Sequence, residues 1–233
     1  MLTAALGVAH AILIVLTVLL LMQRTPGVDA TDAEIVAFYS DPDERRVVLV
    51  AGLYLVPFAG IAFIWFSVAL RMWVTASARR QNVLFSNVQL VCGVIYTGLL
   101  FAAGASMSVS AASVEFSDAP IDPMIARQFP QYGSSLLLIF AMRMAAMFVL
   151  MTSNLGRTAR ILPRWFVLAG YAMAVGLLLT ASLSSWLVIV YPAWILVFGG
   201  ILFDRARKIP RNLVVADPDE VVRRRAVPQR GRR

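Results

Sequence analysis

One cysteine, one histidine and one lysine in 233 residues remove several kinds of chemistry at once. Cys92 has no partner for an intrachain disulfide, and with His10 as the only imidazole the usual cysteine–histidine zinc sets cannot be assembled. There is no glycine-rich nucleotide loop, paired-histidine metal motif or nucleophile elbow. The sequence therefore offers no catalytic, cofactor-binding or metal-binding motif, and a serine–histidine pair would have to recruit His10 from inside an apolar segment. The residues lean away from an enzyme. Charge is also scarce, at 15% of residues against roughly 25% in soluble proteins. Lys208 is the only lysine among 21 basic residues, a bias that points to a GC-rich bacterial genome.

What the chain does have is long apolar runs: 60% of its residues are hydrophobic and its mean hydropathy is +0.77. A membrane span needs about 20 mostly apolar residues. Six segments fit, at 2–22, 47–70, 88–112, 133–153, 165–183 and 186–203. Each is apolar all round rather than striped, as lipid and neighbouring helices require. The expected fold is an all-α bundle over residues 1–203, followed by a flexible basic cytoplasmic tail over 204–233. Segment 2–22 lacks a basic leader and a small-residue cleavage site, so it reads as a retained span. The last two spans, joined through Ser182 to Ser185, must lie side by side and antiparallel.

Basic residues set the expected orientation. Arg71, Arg79 and Arg80 follow span two, Arg157, Arg160 and Arg164 follow span four, and ten more follow span six. The opposite loops hold Arg24, Arg45, Arg46 and Arg127 among nine acidic residues. The positive-inside rule then places both termini in the cytoplasm of a bacterial inner (plasma) membrane. Trp73 and Trp165 suit the inner interface and Trp186 the outer one.

The first outer loop carries helix signals. Thr31-Asp32-Ala33-Glu34 is a capping-box pattern opening a short helix at about 32–40, expected to rest on the outer leaflet with Phe38 and Tyr39 dipping inward. Ser40 or Asp41 caps the next helix, with Pro42 in its first turn, so span two begins outside the membrane. Ile121 to Phe129 is expected to form a similar surface turn, starting at Asp122-Pro123.

Arg143 lies in the middle of an otherwise uncharged stretch from Gln131 to Asn154. A guanidinium at mid-bilayer costs roughly 2.5–3.5 kcal/mol on insertion scales, so a partner is expected. No other span contains a carboxylate. At matching depth lie Tyr54, Tyr96, Thr97, Tyr191 and His10, and Pro57 and Pro192 free the carbonyls of Leu53 and Val188. These groups form the candidate intramembrane polar site, with Glu115 and Asp118 as an outer gate. Arg143 then serves either as a clasp between helices or as the contact for an anionic group.

Gly98-x-x-x-Ala102, Ala102-x-x-x-Ser106 and Ala172-x-x-x-Gly176 suggest close internal helix packing. Ser106, Ser108, Ser110 and Ser113 are expected to satisfy their own helix carbonyls rather than line a cavity. The outer carboxylates (Asp29, Asp32, Glu34, Asp41, Asp43, Glu44) read as helix-capping residues rather than a calcium loop. Pro57 and Pro192 do not correspond between the two halves, which argues against an inverted-repeat transporter. The tail carries no aromatic interleaving, so no nucleic acid is expected. Its arginines suit anionic lipid headgroups, at about 1 kcal/mol each near the surface.

The stretch Glu34-Ile35-Val36-Ala37-Phe38-Tyr39-Ser40-Asp41-Pro42, with Arg45-Arg46 and the span Tyr54 to Phe66, resembles a group of uncharacterised actinobacterial multi-pass membrane proteins. Asp118-Ala119-Pro120-Ile121-Asp122-Pro123, Met142-Arg143 and Leu162-Pro163-Arg164-Trp165 resemble the same group. The resemblance implies six spans in a bacterial inner membrane and brings no activity or cofactor. The function expected from the residues is non-catalytic association with membrane lipid or a membrane protein partner. The alternative is a small transporter or channel-like protein in which Arg143 coordinates an anionic substrate or headgroup.

Overall fold

A computed structural model describes residues 2–77, 83–180 and 186–208, and every described element is helical. The elements are α1 (Leu2–Met22), α2 (Asp32–Ser40), α3 (Pro42–Val50), α4 (Val56–Ser77), α5 (Val83–Ser117), α6 (Pro123–Ser135), α7 (Met142–Thr158), α8 (Arg164–Leu179) and α9 (Trp186–Lys208). A π turn, Ala51–Leu55, joins α3 to α4 in one run, and a second, Leu136–Ala141, joins α6 to α7. The first π turn sits just before Pro57, whose ring would press on the carbonyl one turn earlier in a regular helix. Ile121 to Phe129 is therefore no separate surface turn: from Pro123, capped by Asp122, it is the N-terminal end of the run Pro123–Thr158.

Among the described residues, five helices are long and apolar enough to cross a membrane: Leu2–Met22, Pro42–Val74, Val83–Ser117, Pro123–Thr158 and Val188–Arg205. The apolar α8 has 16 residues, about 24 Å of helix against a hydrocarbon core near 30 Å. The Ser182–Ser185 connection, Arg79, Arg80, the Trp186 side chain and the tail from residue 209 lie outside the described residues. Residues 204–208, expected as tail, continue α9 as helix.

In the bundle α1 packs on α4 and α9, α4 on α5, α5 on α7 and α7 on α8. Phe166 of α8 stacks on Trp194 and Phe198 of α9 and closes the ring. The core fills with large rings: Phe63, Phe66, Tyr96, Phe148, Phe166, Tyr191 and Phe198. Outward faces are just as apolar, with Ile12, Phe58, Trp65, Val91, Leu168 and Leu179 all exposed. A soluble protein rarely leaves so continuous an apolar surface uncovered. Lipid covers such a surface at no hydrophobic cost.

Small residues allow the tight crossings, but not those the spacing suggests. Gly98, Ala102, Ala172 and Gly176 are exposed, and nothing approaches within 4 Å of where a side chain at Gly98 or Gly176 would begin. Spacing puts small residues on one face without saying which way that face turns. The close contacts fall elsewhere. A methyl at Gly52 would collide with the Ser108 side chain, and one at Gly133 would lie 2.8 Å from the Ala103 carbonyl oxygen.

At 35 residues α5 is about 50 Å long, well beyond one hydrocarbon thickness. Its C-terminal end joins α2, α3 and α6 in a second core of Ile35, Tyr39, Val48, Met107, Ala111 and Ala126. Helix α2 thus packs on protein, with Ile35 and Tyr39 buried. Its capping box forms at Thr31, and Asp41 caps α3.

Candidate functional site

His10 lies on the inner face of α1, fully buried where α1 meets α4 and α5. Its Nδ1 is 2.8 Å from the Ala59 carbonyl oxygen and its Nε2 is 3.3 Å from the Tyr96 hydroxyl. A carbonyl only accepts, so Nδ1 carries the hydrogen; in the neutral ring Nε2 then accepts from Tyr96. The imidazole thereby ties three helices, α5 through the phenol, α1 through itself and α4 through the backbone. Phe63, Tyr96 and Tyr191 stand around it at ring-centre distances of 4.7, 5.8 and 6.4 Å. Tyr96 and Tyr191 are 5.2 Å apart, and the Tyr191 hydroxyl is buried without a hydrogen-bond partner. A nearby void between α1, α4 and α5, edged by Thr17 and Met107, measures about 10 Å³, barely the size of one water probe. Aromatic rings pack around the histidine.

A second polar tie joins α5 to α7. Gln89 Nε2 donates to Thr152 Oγ1 at 2.7 Å, and that hydroxyl donates in turn to the Phe148 carbonyl at 2.7 Å. Next to it, buried Ser153 Oγ and Trp194 Nε1 lack partners and flank Gly170, where α8 comes closest. Polar pairs of this kind between membrane helices contribute about 0.6–2 kcal/mol each.

Arg143 is half-buried on α7, and its guanidinium donates to the carbonyl of Ile139 at 3.0 Å, one turn back in its own helix. Ile139 lies in the π turn, where the regular ladder is interrupted and a side chain can reach a carbonyl. Among the described residues, no hydrogen bond of Arg143 reaches His10, Tyr96, Thr97, Tyr191 or the carbonyls of Leu53 and Val188. Of the residues grouped with it from sequence, His10, Tyr96 and Tyr191 come together as one cluster. Thr97 is buried and bonds its own helix at Gly93. Tyr54 points outward, 59% exposed. Glu115 is exposed and pairs with Arg45, and Asp118 sits exposed past the end of α5 with φ 47°. Neither gate residue turns toward Arg143.

The cap formed by α2, α3 and the adjoining ends of α5 and α6 has its own polar framework. Arg45 donates to the carbonyls of Tyr39 and Ser40 at 2.9 Å each and meets Glu115 at 3.3 Å. Arg127 donates to the Ala30 carbonyl at 2.8 Å and to Asp32 at 2.7 Å. Ser106 reaches across to the Phe129 carbonyl on α6, whereas Ser108 and Ser113 bond within α5, and Ser110 Oγ is buried without a partner. The Thr31 backbone and hydroxyl hold the Glu34 carboxyl below its ordinary range. Burial pushes the Tyr39 phenol up to about 12, and its hydroxyl has no partner.

Comparison with protein-family models, curated proteins and solved structures returns no match for this chain. Sequence reasoning missed Gln89 and Thr152, and read Arg45 and Arg127 only as loop charges. Gln89 was legible as the amide in an apolar run, and the two arginines as cations in acid-rich loops, places where neither belongs without a partner.

Proposed function

We propose that the protein is a six-span component of a bacterial inner membrane, with both termini in the cytoplasm, that acts without catalysis by associating with lipid or another membrane protein. In this reading α8 is the sixth span, and the chain is kin to the actinobacterial proteins it resembles. One observation carries the proposal: two hydrogen-bonded ties, His10–Tyr96–Ala59 and Gln89–Thr152, join helices through the interior, and large rings pack around the first of them. A transport path needs polar groups left facing a route, and Arg143 instead turns back on its own helix.

The test combines two measurements on the full chain. Purification in mild detergent is expected to carry along a defined lipid or protein. Proteoliposomes are expected to show no anion flux above protein-free vesicles. Flux abolished by Arg143→Leu, in a variant with unchanged melting temperature, would replace this reading with the transporter alternative.

A further inference from the structure

The turn between α7 and α8 gathers three arginines. Arg157, Arg160 and Arg164 border a recess of about 640 Å³ whose other walls include Leu162, Leu168 and Tyr171. None of the ion pairs among the described residues, Arg24–Glu44, Arg45–Glu115 and Arg127–Asp32, involves these three arginines. The start of α8 adds to this charge. Pro163 caps it without a side-chain hydrogen bond, which leaves the positive end of its dipole uncapped beside Arg164. Arg164 at the first helical position is the charge that this dipole disfavours. An anion would reconcile all of these features.

The turn is also built to hold these groups in place. Ile161 N–H donates to the Gly156 carbonyl and Arg160 N–H to that of Arg157, the paired bonds that end a helix on a left-handed residue. That residue is usually glycine; here it is Arg160, at φ 54°. Orientation in a membrane needs positive charge somewhere in the loop, and gives no reason to put a side chain at its one strained position. Arg157 lies over the Tyr171 ring at 5.8 Å, and the Tyr171 hydroxyl bonds Asn154, whose oxygen also meets Arg157. One wall is apolar and open, with Leu168 exposed on α8 and Trp165 exposed beside it, as at a membrane interface.

We propose that the α7–α8 turn binds the phosphodiester headgroup of an anionic membrane lipid, with Arg157, Arg160 and Arg164 contacting the phosphate and Leu162 and Leu168 flanking the acyl chains. Guanidinium groups suit phosphate oxygens through paired, charge-assisted hydrogen bonds, and the apolar wall selects a lipid over a free anion. This inference rests on the lipid-association reading and gives it a place and a headgroup class.

The full chain, washed in mild detergent at about 0.5 M salt to strip lipid held only by screened tail contacts, is presented with phosphatidylglycerol or phosphatidylcholine and weighed by native mass spectrometry. The expected result is one retained phosphatidylglycerol, favoured about tenfold over phosphatidylcholine. Arg160→Gly is expected to weaken retention about tenfold while the lipid-free melting temperature stays the same or rises, because glycine relieves the left-handed backbone. The pair Arg157→Gln with Arg164→Gln serves as a second variant with the same expected loss. If both variants retain phosphatidylglycerol as the parent does, lipid association stands and this site falls. A parent that retains no lipid removes the site, and the reading beneath it falls too unless a protein partner co-purifies. Displacement of the lipid by millimolar inorganic phosphate would assign the recess to a free anion and overturn the lipid.

Discussion

An imidazole held by a carbonyl on one side and a phenol on the other has both ring nitrogens satisfied, which makes His10 tolerable in a ring-packed interior. His10→Leu fills a similar volume but leaves the Tyr96 hydroxyl buried without an acceptor. A loss of about 1–3 kcal/mol is expected, read as a lower melting temperature in detergent, and Tyr96→Phe should recover part of it in the double variant. Tyr39 behaves in the opposite sense. Its phenol is pushed up to about 12 by burial, so between pH 10 and 12 the unfolded chain ionises while the folded cap does not. Cap stability is therefore unaffected below about pH 10 and falls as pH rises, by at most about 1.4 kcal/mol per unit. Tyr39→Phe removes that alkaline step and, by deleting an unpartnered hydroxyl, is expected to leave neutral-pH stability equal or higher. Tyrosinate absorbance during an alkaline titration checks both statements.

At the scale of helices, local signals were the legible ones. Thr31, Asp41 and Asp122 announce helix starts because capping involves atoms two or three residues away. Which glycine sits at a crossing depends on partners far along the chain, so the Gly98 and Gly176 patterns pointed inward on paper and outward in space. Two substitutions separate these cases. Gly133→Ala would press a methyl against the Ala103 carbonyl and the Met107 backbone, and is expected to cost about 1–3 kcal/mol. Gly98→Ala meets no neighbour within 4 Å and is expected to leave the melting temperature unchanged. In the cap, Arg45→Gln removes the tie to Tyr39, Ser40 and Glu115. Faster amide exchange is expected over Asp32–Val50, with the core of α5 and α7 unaffected.

For the molecule as a whole, the proposed orientation rests on where arginine falls, and one free, buried cysteine makes it easy to examine. In a Cys92→Ser background, Asp29→Cys is expected to react with a membrane-impermeant thiol reagent applied to intact cells, and Arg164→Cys only after lysis. The reverse pattern would invert the assignment and move the α7–α8 recess to the outer leaflet.

Hydropathy and charge, read along the chain, determined the apolar helices, the outer helix starts and the candidate polar residues, because each depends on a side chain and its near neighbours. They also identified His10, Tyr96 and Tyr191 as residues of matching depth. Only the packing decided that these three meet around an imidazole while Arg143 turns back to Ile139 and Tyr54 faces out. Depth follows from counting residues at 1.5 Å each. The direction a side chain takes around its helix axis depends on which neighbour comes close, and a π turn just before the residue resets that direction in a way no periodicity records.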